Sequence, residues 1–310
     1  MTAPSTGTVT DAMMADTLLA AGLDPEAAQA GPAALASPSY QALESCSAIV
    51  GGTFVKRMHP EVMPFFDPET AIAGAKLSVA GPSVLWSDPA TCALAMDAAP
   101  SGFFTARQHH LQDAETLSAV MHALKAQHEG PALPGRFDPF AQIDRVIEAH
   151  GANGIPLPDD ILYLRRLIAQ AEALAESAPL APCRNDGSAS NILLGPGNKV
   201  LLVDFDRAGM NDPLYDLGAL MAEVTDLESD MVAAFTAYHG SFDPVLFARA
   251  RLWSHVDDLL HALWARLMAH TSERSSVEWL KYGEWRLLRL RVMLRHPAFE
   301  EKLRITEVAA

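Results

Sequence analysis

The chain has 310 residues, 49% of them hydrophobic, which is enough to bury a sizeable core in one large domain or two smaller ones. Its formal net charge of -15 argues against nucleic acid and against an anionic membrane as partners, because both reward clustered Lys and Arg. The cysteines Cys46, Cys92 and Cys183 have no zinc-ligand spacing and read as reduced thiols of a cytoplasmic protein; residues 1–26 lack the basic flank and apolar core of a signal peptide, and no run is long enough to span a bilayer.

Residues 1–10 are small and polar and predict a disordered start. A short helix is expected over 11–21, capped by Thr10 or Asp11, with Met13, Met14, Leu18 and Leu19 apolar; a second is expected over 25–30, followed by an Ala/Pro/Ser-rich connector to 39. From 40 to 58 the pattern turns strand-like, with Gly51-Gly52 between two apolar runs. That pair fits a plain hairpin turn as well as a phosphate-covering loop. Lys56 and Arg57 stand at the end of the second run.

A helix is expected over 68–80, with Ala71, Ile72, Ala75 and Val79 on its apolar side. Strands over 83–86 and 92–96 flank the turn at 87–91, and 97–102 reads as a linker. Helices follow over 111–128, from Asp138 as cap to 150, and from Pro158 or Asp159 to 178. His109, His110 and His128 lack metal-ligand spacing on a helix and read as surface or capping residues. Beyond residue 212, helices are expected over 213–224, 226–239, 244–270 and 275–296, with Pro297 opening a charged tail.

The most informative stretch runs from Cys183 to Gly218, CRNDGSASNILLGPGNKVLLVDFDRAGMNDPLYDLG. Asn191 follows Asp186 by five positions, and Gly195-Pro196-Gly197-Asn198 supply turn dihedrals between Leu193-Leu194 and the apolar run 199–203, which delivers Asp204 and Asp206. A hairpin here brings Asp186 and Asn191 close to Asp204. Two carboxylates and an amide oxygen on one point suit a hard divalent cation such as magnesium, and a carboxylate beside it can accept a hydroxyl proton.

This stretch resembles the aminoglycoside phosphotransferase and choline kinase superfamily, and most of all its bacterial choline/ethanolamine kinase branch; the run Gly209-Met210-Asn211-Asp212-Pro213-Leu214 carries the likeness furthest. The resemblance implies an α+β, protein kinase-like two-lobe fold, with a small β-rich N-lobe and a larger, mostly helical C-lobe. It divides the chain into an N-terminal extension (1–39), an N-lobe (40–97) and a helical C-lobe (98–310). It implies Asp186 as catalytic base, Asn191 and Asp204 as magnesium ligands, Lys56 or Arg57 with Gly51 and Gly52 at the nucleotide phosphates, and Asp206 at a second metal or the substrate. Trp264 and Tyr282, with Trp253 and Trp285 nearby, are the aromatic candidates for holding a cationic substrate. Asp216 and Asp212 are expected to be scaffold residues, Asp212 as a helix cap.

The implied activity is phosphoryl transfer from ATP, with Mg2+, to the hydroxyl of a small amine-bearing alcohol such as choline or ethanolamine; a homodimer is an open assembly state. Three departures point to an alternative, a degenerate kinase fold that binds a ligand or partner without transfer. The glycine loop is short, Lys76 stands where the family's helix carries a Glu, and Arg184 stands where His is usual. The Arg is expected either to tie the loop to backbone through its planar fork or to put its own charge in place of a ligand. An aminoglycoside-type kinase is a second alternative.

Overall fold

The computed structural model describes residues 12–31, 44–173, 179–225, 227–273 and 276–308. The predicted disordered start, the caps at Thr10 and Asp11, the connector to 39, the first residues of the strand-like run and the helix end at 178 lie outside these. The chain falls into two compact units, Met1–Arg136 with Pro182–Met210, and Phe137–Ala181 with Asn211–Ala310.

The first unit is built on an antiparallel sheet of order β1-β2-β3-β5-β4, formed by Gln29–Ala30 (β1), Ser45–Val50 (β2), Thr53–Met58 (β3), Val84–Asp88 (β4) and Ala93–Asp97 (β5). Side chains alternate across a strand, so each strand serves two surfaces. Ala48, Val55 and Ala95 pack against Met14 and Leu18 of the N-terminal helix α1 (Ala12–Ala20). Their neighbours in register, Ser47, Ile49, Phe54, Lys56, Leu94 and Met96, line a cavity on the opposite face. Gly51 and Gly52 close the β2–β3 hairpin as a two-residue turn, since Val50 pairs with Thr53 and Gly51 has φ +59°.

Helix α2 (Pro68–Leu77) starts where Asp67 accepts from the Thr70 N–H at 3.1 Å with Pro at the first turn. It ends three residues before the expected boundary, because Ala80 turns away to accept from Leu202 N–H. After β6 (Phe104–Thr105), a 3-10 turn occupies Gln108–Gln112, where His110 Nδ1 accepts from the Arg107 N–H at 3.0 Å. Helix α3 (Ala114–His128) follows, capped by Asp113, and its last residue, His128, is buried rather than on the surface. Strand β7 (Ala181–Cys183) leads into the central loop. Strands β8 (Ile192–Gly195) and β9 (Lys199–Leu202) then form the expected hairpin, turning through Gly197 and Asn198 at φ +69° and +57°, with β6 on its other edge. Strand β10 (Gly209–Asn211) ends the segment.

The second unit is helical. Asp138 caps α4 (Pro139–Ala152) by accepting from Phe140 and Ala141 N–H, and Asp212 caps α6 (Pro213–Val224) by accepting from Leu214 N–H. The other Asp212 carboxylate oxygen takes Arg249 Nε and Trp253 Nε1, both at 2.6 Å. Helix α5 (Ile161–Ile168) is shorter than expected because the chain tightens into a 3-10 turn over Ala169–Ala171. Helices α7 (Glu228–His239), α8 (Pro244–Thr271) and α9 (Ser276–Arg295) complete the expected set. Helix α8 is buried along most of its length, and α4, α6, α9 and α10 pack on it. The tail is a further helix, α10 (Pro297–Val308), which seats Phe299 and Leu303 in the core and pairs Lys302 with Glu228 at 2.6 Å.

The buried acids Asp257 and Asp258 of this helical core are compensated. Asp257 accepts from Tyr215 OH at 2.8 Å and Arg286 Nη1 at 2.9 Å; Asp258 accepts from Arg286 and Arg289. Buried carboxylates and guanidinium groups are tolerated in this way only when paired and hydrogen-bonded. None of the three cysteines forms a disulfide, and no helix among the described residues is long and apolar enough to cross a membrane.

Candidate active site

Within the first unit, a cavity of about 260 Å³ is lined by the exposed face of β2, β3 and β5, by Ala98 and Ala99 beyond β5, and by Ser190, Asn191, Val203, Asp204, Phe205 and Asp206. The β8–β9 hairpin has brought Asn191 and Asp204 to one wall, as its turn chemistry predicted. The two ends of the hairpin are pinned by Val203 N–H donating to the Asn191 carbonyl at 3.1 Å.

Lys56 reaches into this cavity from β3. Its Nζ donates to Asp204 Oδ1 at 2.6 Å and to Asp206 Oδ2 at 2.7 Å. Arg57, the neighbouring candidate, does not join it. One residue on along a strand, it points to the opposite face, where Nη1 donates to the Met13 carbonyl at 2.8 Å and to Thr17 Oγ1 at 3.1 Å. It fastens α1 to the sheet. Gly51 and Gly52 are likewise absent from the cavity wall: they form the exposed hairpin tip, and the Gly52 carbonyl accepts from Ala98 N–H at 2.8 Å.

Asp186 sits on the loop after β7. Its carboxylate accepts from Ser188 N–H at 2.6 Å and from Asn191 Nδ2. That leaves the Asn191 amide oxygen as an available donor atom to a cation. Arg184 does for this loop what its planar fork allows: buried at 1% exposure, it donates to the carbonyls of Asp186 (2.6 Å), Asn191 (2.6 Å) and Val203 (3.0 Å). Its fork ties the loop to backbone, and after Lys56 its charge also helps hold the Asp204 carboxyl low. Two residues of the site, Asn185 (φ +58°) and Asp204 (φ +63°), adopt the left-handed conformation, which Asn and Asp tolerate better than most side chains. Asn185 is held by donating to the Arg207 carbonyl at 2.9 Å. Arg207 lies over the Phe66 ring at 4.7 Å and pairs with Glu44 at 3.3 Å.

The electrostatics follow from this crowding. Burial alone would push the Asp204 carboxyl up, but the Lys56 charge outweighs it and holds Asp204 below the usual carboxylate range. Asp206 goes the other way: burial and the charge of Asp204 push it up to about 7, against the pull of Lys56. Burial works against the Lys56 ammonium, yet the two carboxylates keep it firmly protonated. Burial, and then the negative charge of Asp206, pushes the nearby Cys92 thiol up to about 12, so it is no nucleophile at neutral pH.

Oxygen atoms of Asn191, Asp204 and Asp206 on one wall form a donor set for a hard divalent cation, and an internal cation, Lys56, already neutralises two of them. The residues present therefore fit magnesium. The expected helix Glu is replaced: Lys76 is exposed at the last turn of α2, and Lys56 takes its carboxylate partners from Asp204 and Asp206 instead.

The aromatic candidates lie in the second unit. Trp264 is 1% exposed and packs edge-on against Trp279, so it offers no face to a ligand. Tyr282 is half-buried, with Arg286 of its own helix over its ring at 5.3 Å and donating to its hydroxyl at 2.9 and 3.0 Å. Trp253 is a buried partner of Asp212, and Trp285 is exposed. The cavity-lining residues that sequence reasoning passed over, Ser45, Ser47, Phe54, Met96 and Ser190, were discoverable through strand parity with Lys56 or adjacency to Asn191.

Residues 103–253 match the family model described as APH, phosphotransferase enzyme family. The chain is 23% identical over 197 residues, 60% of its length and 70% of the relative's, to Protein LicA of Haemophilus influenzae. Its fold is similar to the crystal structure of a choline/ethanolamine kinase family protein from Mesorhizobium loti, with TM-score 0.74 and 23% identity over 86% of this chain and 90% of that one. It is also similar to LicA in complex with AMP, with TM-score 0.69 and 14% identity over 92% and 100% of the two chains. Residues 103–253 thus match the phosphotransferase enzyme family, and the chain has the kinase-like fold of these similar structures.

Proposed function

We propose that the protein transfers the terminal phosphoryl group of ATP to the hydroxyl of a small amine-bearing alcohol of the choline or ethanolamine kind. The observation that carries this reading is the grouping, in one unit, of Lys56, Asp204, Asp206 and Asn191 around a cavity, with Asp186 hydrogen-bonded to Asn191. Asn191 and Asp204, with Asp206, would hold magnesium. Bound there, the metal would supply charge neutralisation for the phosphates. Lys56 would bind a phosphate oxygen. Asp186 would accept the hydroxyl proton, its carboxylate already oriented by Ser188 and Asn191. The cavity face of Ile49, Phe54, Leu94 and Met96 offers apolar surface to a nucleotide base.

The amine of the acceptor is inferred from the similarity to a choline/ethanolamine kinase family protein and from the acidic chain, which favours cationic ligands. The test is turnover of ATP with Mg2+ against a panel of amino alcohols and aminoglycosides. Phosphorylation of an amino alcohol, abolished in Asp186→Ala, is the expected result. Transfer to an aminoglycoside alone would shift the acceptor to the antibiotic class. Absence of transfer to any acceptor would favour the non-catalytic reading, whose support is the tight two-residue Gly51-Gly52 turn.

A further inference from the structure

We propose that Lys56 is a built-in stand-in cation: without nucleotide its ammonium occupies the oxygens of Asp204 and Asp206, and a divalent cation must compete with it until a phosphate draws it away. This inference rests on the reading of the cavity as a metal–nucleotide site and adds how its two ligands depend on each other.

The geometry leaves Lys56 few alternatives. Its Nζ lies 2.6 Å from Asp204 and 2.7 Å from Asp206, and its side chain is 11% exposed. In register beside it are Ser47 on β2 and Leu94 on β5, neither able to take a positive charge. The helix that would offer a carboxylate ends instead in the exposed Lys76, and the only acid of that helix, Glu69, lies in its first turn. Lys56 is therefore held by the metal-side acids themselves. A lysine parked on a separate glutamate leaves both aspartates open to metal; here the same two aspartates serve both cations.

Two consequences follow from charge balance. Metal entering an empty site must break two charge-assisted hydrogen bonds and leave the Lys56 ammonium facing a like charge in a partly desolvated cavity. A nucleotide removes that penalty, because its phosphates give Lys56 a new anionic partner while adding oxygen donors for the metal. Nucleotide and metal are thus expected to bind with positive coupling, and linkage requires the coupling to be the same from either side.

The experiment is calorimetric titration of MnCl2 and MgCl2 into the full chain, without nucleotide and with a non-hydrolysable ATP analogue. Wild type, Lys56→Met and Lys56→Gln are compared, with thermal melting to establish that each variant is folded. Without nucleotide, both variants are expected to bind metal roughly tenfold or more tightly than wild type, since two buried carboxylates lose their counter-ion. The tightening of metal binding by the analogue, large in wild type, is expected to shrink in both. Equal or weaker metal binding by the variants without nucleotide overturns the proposal. Should neither variant fold, nitrogen-15 NMR of the lysine ammonium groups in wild type decides: the Lys56 signal, set apart by its protection from solvent exchange, should lose that protection on addition of magnesium alone. A signal that stays protected at saturating metal overturns the proposal. None of these measurements uses turnover, so a failure here and a failure of the proposed transfer reaction are seen separately.

Discussion

Arg184 donates to the backbone carbonyl of Asn191 at 2.6 Å, and through the same guanidinium it also holds the carbonyls of Asp186 and Val203. One buried side chain thus fixes both ends of the segment that carries the proposed base and metal ligands. Arg184→Ala leaves three carbonyls without that donor and is expected to cost about 3 kcal/mol of stability. Arg184→Lys keeps the charge but not the fork, and should fall between. Urea unfolding of the two variants checks this. A loss under about 1 kcal/mol for the alanine variant would mean that the loop is held by something other than this guanidinium.

Lys56 and Arg57 are adjacent, basic and on the same strand, yet they do unrelated work. Arg57→Ala removes the link to Met13 and Thr17 and should loosen α1 on the back of the sheet. Amides of residues 12–20 are expected to exchange with solvent roughly tenfold faster or more, a loss of about 1.5 kcal/mol of local stability. Binding of an ATP analogue should stay within about twofold of wild type, because the Arg57 side chain is on the far face. A large fall in nucleotide affinity without any change in exchange at α1 would put Arg57 back at the phosphates.

These cases also mark what was readable beforehand. The 183–218 stretch was legible because turn residues, strand run and acids have fixed spacings that only one local structure satisfies; the hairpin and the meeting of Asn191 with Asp204 both follow. The choice between Lys56 and Arg57 was not, because both faces of β3 are partly covered, and only the packing of α1 says which face is the back. Trp264 shows a similar limit: aromatic spacing on a helix is the same for a core and for a ligand cage, and burial decided for core. Helix α10 hid behind its composition, since Glu300, Glu301, Lys302 and Arg304 mask the Phe299–Leu303 stripe that seats it. Lys76 was readable as a missing carboxylate; the replacement partners of Lys56 were not, because they lie about 150 residues away in sequence.

His255 is buried on α8, and burial, then the charges of Arg251, Lys302 and Arg289, holds its imidazolium well below the ordinary range. His150, fully buried on α4, is lowered mainly by burial as well. The unfolded chain takes up these protons near pH 6.5 while the folded one does not, so the unfolded state binds more protons below that value. Stability is then fully present above about pH 6.5 and is lost as pH falls, by up to about 1.4 kcal/mol per pH unit for each histidine. Asp206, pushed up to about 7 in the fold, adds a slope of opposite sign over the same window, so the histidine contribution is read as a difference: between pH 5 and 7.5 the unfolding free energy of His255→Gln should rise less steeply with pH than that of wild type, by up to about 1.4 kcal/mol per pH unit. Slopes that match in variant and wild type would mean that His255 is protonated in the fold after all. Carboxylates held low by their partners, such as Asp160 beside Arg291, add their own losses only below about pH 4.

Gly218 and Gly151 are both helical glycines, and the same substitution at each is expected to act in opposite directions. At Gly218, on α6, an added Cβ would run into the Ala250 carbonyl of α8 and approach Ser254 N at 3.2 Å. Both obstacles are backbone of a buried helix, so the two helices must part to admit one methyl group. Gly218→Ala is expected to destabilise by about 2–3 kcal/mol, in the range of other overpacked cores. At Gly151, near the end of α4, no atom lies within 4 Å of the added Cβ, and the backbone is not in the left-handed region. There Ala only restricts the unfolded chain and favours the helix, for a gain of about 0.5 kcal/mol. Paired denaturant titrations read both signs in one experiment. A neutral Gly218→Ala would show that α6 and α8 separate without cost, and would remove the close packing of these helices as the reason for glycine at that position.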